Sequence, residues 1–327
     1  MKRVTAWFIT AALAALSVTQ LAWGQGAYPD RVVRIIVPYA AGTSPDVVAR
    51  QLADRLTAAL GKSVIIDNRP GAGGMIGAEQ AAIAPNDGYN LFFTVKGVMA
   101  IVPHVYPSAK FKPLKDFKAV TEILQVPHII VATNNAPFND MKGLVAYARQ
   151  HPGKLNYASN GVGSHPHVGM ETIARRLGLQ LTHVPYKGVP TVDLMAGVVD
   201  LQLEASTTAL PNIKAGKIKA LATSGAERIP ALPDLPTLTE VRADLDPQGA
   251  TGNSWHAVFA PAGTPDAIIV RLSTEIVNIV KTQDMQGRLR DLGLTPTGTS
   301  AEHLAKEVAA HYEYWGKIVR DLNIKVE

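Results

Sequence analysis

Cysteine is absent from the 327 residues, and with it go disulfides, thiolate catalysis, zinc–cysteine sites and iron–sulfur clusters. Long apolar runs are scarce. Beyond Gly24 none approaches the ~20 residues of a transmembrane helix, which excludes an integral helical membrane protein. Net charge is small, 32 Lys and Arg against 27 Asp and Glu. No basic run interleaves with aromatic residues, so no nucleic-acid partner is expected. Walker, H-E-x-x-H and G-x-S-x-G sequences are missing, as are internal repeats and low-complexity segments. The glycine-rich run Gly71-Ala72-Gly73-Gly74-Met75-Ile76-Gly77 fails the dinucleotide spacing because Ile76 stands where the third glycine is required, and Gly161 to Pro166 fails likewise. No cofactor is expected.

The chain opens with a targeting pattern. Lys2 and Arg3 form a positive n-region, Ala6 to Val18 an apolar h-region, and Ala22-Trp23-Gly24 a small-residue cleavage site. Cleavage is expected before Gln25, giving a signal peptide over 1–24 and export to the periplasm. Removing Lys2 and Arg3, with no acid in that segment, lowers the formal charge from +5 to +3. No lipid-attachment cysteine follows, so the mature product is expected to be free, and it must stay folded on core burial alone. About 300 mature residues are long for one core and favour two domains.

From Val32 the pattern alternates short β-branched runs with amphipathic ones. Val32–Val37, Ser63–Asp67 and Tyr89–Val95 read as strands; Pro45–Leu60, with Val48, Leu52, Leu56 and Leu60 at helical spacing, and Ala78–Ala84 read as helices. Residues 103–118, rich in Pro and Lys, read as an irregular connection. A strand over His128–Ala132 then opens a second series. It comprises helix Met141–Gln150, strand Leu155–Ala158, helix Pro166–Leu177, strand Leu181–Val184, helix Thr191–Ala196, strand Asp200–Leu203, helix Thr208–Ala215 and strand Ala220–Thr223. Ile229–Gly249 carries four of the 22 prolines and reads as a surface connection. Strand Trp255–Ala260, helix Pro265–Lys281 and helix Ala301–Asp321 close the chain. This strand–helix rhythm predicts an α/β protein with parallel sheets whose ligands sit at the carboxyl ends of the strands.

Two turns stand out at such ends. After Ile35-Ile36-Val37 the chain runs Pro38-Tyr39-Ala40-Ala41-Gly42-Thr43-Ser44-Pro45-Asp46, with Ser44 as N-cap, Pro45 at the first helical position and Asp46 in the first turn. Free backbone N–H groups and the positive end of a helix dipole converge there, which suits an anion such as a carboxylate. The turn Ser159-Asn160-Gly161-Val162-Gly163-Ser164-His165-Pro166 repeats the design. Together the turns form a pincer for a carboxylate; equally, they describe two well-capped α/β turns with no ligand.

Other residues carry competing readings. His165, His167, His183 and His128 raise a metal site, against which stand Pro166 and the lack of a clustered carboxylate. Ser164, His165 and Asp46 are the residue types of a hydrolase triad, without spacing that places them in relay, so a periplasmic hydrolase is the alternative function. Glu204 and Ser206 lie at the carboxyl end of a strand, where Glu204 either meets a ligand amide, ammonium or water or is a solvated loop acid. Lys96 ends a strand in the same topological position, either facing a second carboxylate or solvated.

Val37-Pro38-Tyr39-Ala40-Ala41-Gly42 with Asp46 and Arg50, Asn68-Arg69-Pro70-Gly71-Ala72-Gly73-Gly74, Gly161-Val162-Gly163-Ser164-His165, His183-Val184-Pro185-Tyr186-Lys187-Gly188 and Phe259-Ala260-Pro261-Ala262-Gly263-Thr264-Pro265 resemble, in order and spacing, the periplasmic receptors of tripartite tricarboxylate transporters, the Bug or TctC family. The resemblance implies a type II periplasmic binding protein fold, with two α/β lobes joined by two crossing strands near Val126–Val131 and Trp255–Ala260. Lobe one would comprise residues 25–127 and 255–327, lobe two residues 128–254, with one small organic carboxylate (aliphatic, aromatic or amino acid) between them. It implies ligand contacts from Tyr39, Ala41, Gly42, Thr43 and Ser44 on one side and Ser159, Asn160, Gly163, Ser164 and His165 on the other, with Asp46 at the ligand's far end. It further implies no enzymatic activity, a monomer, and a two-subunit membrane permease as partner, with a ligand-sensing role in signalling as a further alternative. Lys96-Gly97-Val98 and Glu204-Ala205 depart from the pattern, and Lys96 and Glu204 are expected to tune which compound binds.

Overall fold

The computed structural model describes residues 28–225, 227–245 and 252–326; the expected signal peptide lies outside them. Its strands are β1 (Val33–Val37), β2 (Val64–Asn68), β3 (Asn90–Val95), β4 (Phe117–Val126), β5 (His128–Thr133), β6 (Asn156–Ser159), β7 (Thr182–Pro185), β8 (Leu201–Ala205), β9 (Ile218–Thr223), β10 (Ser254–Pro261) and β11 (Thr295–Pro296). They form two sheets, ordered β11-β4-β10-β3-β1-β2 and β7-β6-β8-β5-β9. The chain leaves the first sheet at Val126 and enters the second at His128, with Pro127 alone between. It returns to the first sheet at Ser254.

The sheets are mixed rather than parallel. β1 is parallel to β2 and β3, and β6 to β7 and β8, as the strand–helix rhythm predicts. In contrast, β10 is antiparallel to β3 and β4, and β5 to β8 and β9. The antiparallel strands are those that carry the chain out of one sheet and into the other, so no crossover helix sets their direction. Both faces of each sheet are covered. Val33, Leu52, Phe93, Val258 and Leu272 fill one face of the first sheet, and Phe92, Trp255, Leu304 and Trp315 the other. Tyr157, Ile173 and Leu203 pack on one face of the second sheet, and Ile129, Leu194 and Leu210 on the other.

Helices Met141–Gln150, Thr191–Ala196 and Ala301–Asp321 have the expected bounds. The long strand β4 replaces the end of the expected irregular connection. Its side chains are buried on both faces by neighbouring elements, so Phe117–Val126 carries no clean alternation, and the Pro/Lys-rich stretch before it masks its start. The helix after β8 begins at Ser206, not Thr208. Ser44 is not the N-cap of the first long helix: Thr43 holds the extended cap conformation and Ser44 is the first helical residue.

Candidate functional site

The carboxyl ends of β1 and β3 face those of β6 and β8 across a cleft with two chambers. The inner chamber, about 70 Å³, is bordered by Ser44, Val95, His128, His165, Gln202 and Glu204 among others. The outer chamber, about 210 Å³, lies between the glycine run Gly71–Gly74 and Asn160–Val162. They meet at Tyr39, Thr43 and Asn160, which border both.

The first turn is held from within. Asp46, 2% exposed, accepts from the Gly42 amide at 2.9 Å, Arg50 Nε at 3.0 Å and Asn68 Nδ2 at 2.9 Å. Burial alone would raise its carboxyl pKa, but these bonds outweigh it and hold it below the usual range. Asn68 Nδ2 also donates to the Tyr39 carbonyl, and the Thr43 amide and hydroxyl both donate to the Ala40 carbonyl. The Gly42 and Thr43 amides are thus consumed inside the turn. Those of Ala41 and Ser44 have no hydrogen-bond partner among the described residues, and they sit where the helix dipole begins. Asp46 borders neither chamber.

The second turn is built the same way from different residues. Ser159 Oγ receives the Gly161 amide at 3.2 Å and lies 2.7 Å from His183 Nε2. The Gly163 amide donates to His167 Nδ1 at 3.2 Å, and Ser164 Oγ caps the following helix by accepting from the His167 amide. His167 stacks on His183 at 3.9 Å between ring centroids. Burial, then His183, pushes the His167 pKa down to about 3, consistent with a neutral ring that accepts at Nδ1. The sequence singled out His167 as a metal candidate and His183 as a metal candidate and part of a family motif; their positions under the turn had no readable signal, because the contact joins two separate elements. Ser159, Gly163 and Ser164 therefore shape the turn, while Asn160 and His165 face the cleft.

His165 and His167 diverge. The His165 ring packs against His128 and Trp315, at 4.6 and 5.5 Å, away from His183. Among the described residues no three of His, Cys, Asp and Glu are grouped to hold a metal. Ser164 Oγ bonds a backbone amide and Asp46 bonds the first turn, so Ser164, His165 and Asp46 form no proton relay among the described hydrogen bonds.

The two lobes touch across the cleft. Ser44 Oγ and Thr207 Oγ1 are 2.9 Å apart, Tyr106 Oη donates to the Val162 carbonyl at 3.1 Å, and Ser206 Oγ donates to the Gly293 carbonyl at 3.0 Å. Ser206 thereby joins the lobes and borders neither chamber. Tyr39 Oη donates to the Gly73 carbonyl at 3.1 Å, bracing the glycine run behind it.

Glu204 is 2% exposed, so it is not a solvated loop acid. Its Oε1 accepts from Thr191 Oγ1, while Oε2 is buried with no hydrogen-bond partner among the described residues. Burial pushes its pKa up, against the opposing influence of the nearby Thr191 and Thr208 hydroxyls. Lys96 is equally buried, 1% exposed, but it borders neither chamber. Its Nζ donates to the Asn253 carbonyl and lies 5.5 Å from the Trp315 ring centroid. The chamber's imidazoles are neutral at pH 7: burial, then Lys96, pushes His128 down to about 3; burial, then His128, does the same to His256; and burial leads the depression of His165.

Residues 48–324 match the TctC family, described as tripartite tricarboxylate transporter family receptor. Protein BugT of Bordetella pertussis is 32% identical over 303 residues, covering 92% of each chain. The R. palustris protein Rpa4515, solved with adipate, superposes with a TM-score of 0.87 at 34% identity, over 91% of this chain and 100% of that one. MatC from Rhodopseudomonas palustris, solved with bound malate, superposes at 0.83 and 30% identity, over 89% and 100%. The matched family and solved neighbours are periplasmic solute-binding proteins of two-lobe fold, not enzymes.

Proposed function

The chain belongs to the tripartite tricarboxylate transporter receptor family of solute-binding proteins, and from that premise we propose that it captures a small organic carboxylate in the periplasm and delivers it to a two-subunit membrane permease. The observation that carries this reading is the first turn, where Asp46 consumes the Gly42 amide and leaves those of Ala41 and Ser44 uncommitted at a helix N-terminus. An anion there gains two amide hydrogen bonds and the favourable end of the dipole. Asn160 and His165 border the same chamber as Ser44 from the second lobe, with Tyr39 and Thr43 bordering it from the first. The adipate and malate of the two neighbours are both carboxylates, which supports the ligand class.

Affinity in this reading depends on closure. The anion engages both turns only when the lobes meet, so ligand binding shifts an open–closed equilibrium toward the arrangement joined by Ser44–Thr207 and Tyr106–Val162. The protein acts as a monomer, exported after loss of residues 1–24. A thermal-shift screen of the mature protein against mono- and dicarboxylates, aromatic acids and amino acids tests the reading. A rise in Tm with one chemical class is expected. No rise with any acid, on folded and ligand-free protein, would remove it.

A further inference from the structure

Beyond the carboxylate pincer, the inner chamber has chemistry of its own. Gln202 and Glu204 are two apart on β8, so both side chains leave the same face of the second sheet, and both are 2% exposed. Glu204 is anchored through Oε1 by the Thr191 hydroxyl. The neighbouring Thr208 hydroxyl is committed to the Ala205 carbonyl. Glu204 Oε2 and Gln202 Oε1 are left buried on one wall of the chamber with no hydrogen-bond partner among the described residues, as are both ring nitrogens of His165 and Nδ1 of His256 elsewhere on its lining. A buried acceptor without a donor is costly, and a group that brings a donor relieves that cost.

The charges around the chamber are equally selective. Among the described residues no Lys or Arg borders it. The nearby Lys96 ammonium is spent on the Asn253 carbonyl and the Trp315 face. The basic side chains that do border it, His128, His165 and His256, are neutral at pH 7. A second carboxylate placed directly against Glu204 would meet another carboxyl on a wall that no Lys or Arg among the described residues borders.

We propose that the Glu204–Gln202 wall of the inner chamber selects ligands whose end remote from the pincer is a hydrogen-bond-donating nitrogen, an ammonium or a carboxamide, accepted by Glu204 Oε2 with Gln202 beside it. This rests on the carboxylate-receptor reading and names the class of acid within it. A cationic nitrogen here forms a desolvated, charge-assisted pair with Glu204, and an amide nitrogen a neutral one. The carboxylate end of the ligand then lies toward Ser44 and His165, which border the same chamber.

Titration calorimetry on the mature protein tests the proposal with chain-matched series: butanoate, succinate, succinamate and 4-aminobutanoate, then hexanoate, adipate, adipamate and 6-aminohexanoate. The expected result is that, at the length that fits, the nitrogen-ended acid binds about 10- to 100-fold tighter than the dicarboxylate and the plain acid. In Glu204→Gln the advantage of the ammonium over the plain acid falls to within a few-fold. A dicarboxylate that binds as tightly as its nitrogen-ended partner overturns the proposal. So does a plain acid that gains nothing from a terminal nitrogen, and both of those results leave the carboxylate reading standing. Binding by none of the eight acids overturns the proposal; none by any acid in the broader screen also removes the reading beneath it. The wild-type series decides the matter even if Glu204→Gln does not fold.

Discussion

Gly73→Ala is expected to block closure while sparing the fold. Gly73 has φ +64° in the first lobe's glycine run, and a Cβ placed there would stand 2.4 Å from the Val162 carbonyl oxygen of the second lobe. Carbon and carbonyl oxygen approach to roughly 3.3 Å, so the carbonyl must retreat by about 0.9 Å. That carbonyl accepts from Tyr106 Oη at 3.1 Å, a bond that does not survive such a shift and is worth about 1 kcal/mol. With strain spread into the Asn160–Gly163 turn, closure loses about 1.5–3 kcal/mol, or about 10- to 100-fold in affinity for any ligand that requires it. Gly61→Ala is the matched control. Gly61 has φ +67° but nothing within 4 Å of the added methyl group, so it shares the left-handed strain, about 1–2 kcal/mol of stability, and no cleft contact. Titration calorimetry with an acid found in the thermal screen compares the two variants. Equal affinities in Gly73→Ala and Gly61→Ala would refute the reasoning.

Lys96→Met should lower stability by about 1–3 kcal/mol in urea denaturation, because it strips the donor from the part-buried Asn253 carbonyl. Ligand affinity should change less than threefold; a tenfold loss would place Lys96 in the cleft after all. Asp46→Asn should cost about 1–3 kcal/mol and weaken carboxylate binding, although Asp46 borders neither chamber, because it frees the Gly42 amide and the Arg50 guanidinium from the turn; unaltered binding would contradict the pinning role. Histidine burial should make the fold acid-labile. The folded-state pKa values of His128, His167 and His256 lie at about 3, below the ordinary 6.5, so the unfolded chain takes up their protons first. Stability is fully present above about pH 6.5 and is lost on acidification toward pH 3, by ~1.4 kcal/mol per pH unit for each such histidine. Urea midpoints that stay constant from pH 7 to pH 5 would contradict this.

The helices and turns of the site were legible because their signals are local. Pro45 and Asp46 sit in one helical turn, and Ser164-His165-Pro166 announces the second, so both were placed within a residue of their observed starts. What escaped depends on partners far along the chain. Lys96 looks like any strand-end lysine until Asn253 and Trp315 are brought over it. Glu204 looks like a loop acid until the Thr191 hydroxyl closes on it and β5 buries its strand. Asp46, implied to touch ligand by resemblance, proves to hold the turn, because Arg50 and Asn68 arrive from a neighbouring helical turn and from β2. Strand β4 was missed for the opposite reason: burial on both faces erases the alternation that marks a strand.

The central claim is that a carboxylate is held by the uncommitted amides of the first turn against Asn160 and His165 of the second, and its most direct test compares an acid identified in the thermal screen with its methyl ester by titration calorimetry. The ester keeps the chain and removes the anion. The account predicts that it binds at least about 100-fold more weakly, as the loss of two charge-assisted hydrogen bonds requires. An ester that binds as tightly as the acid would contradict it.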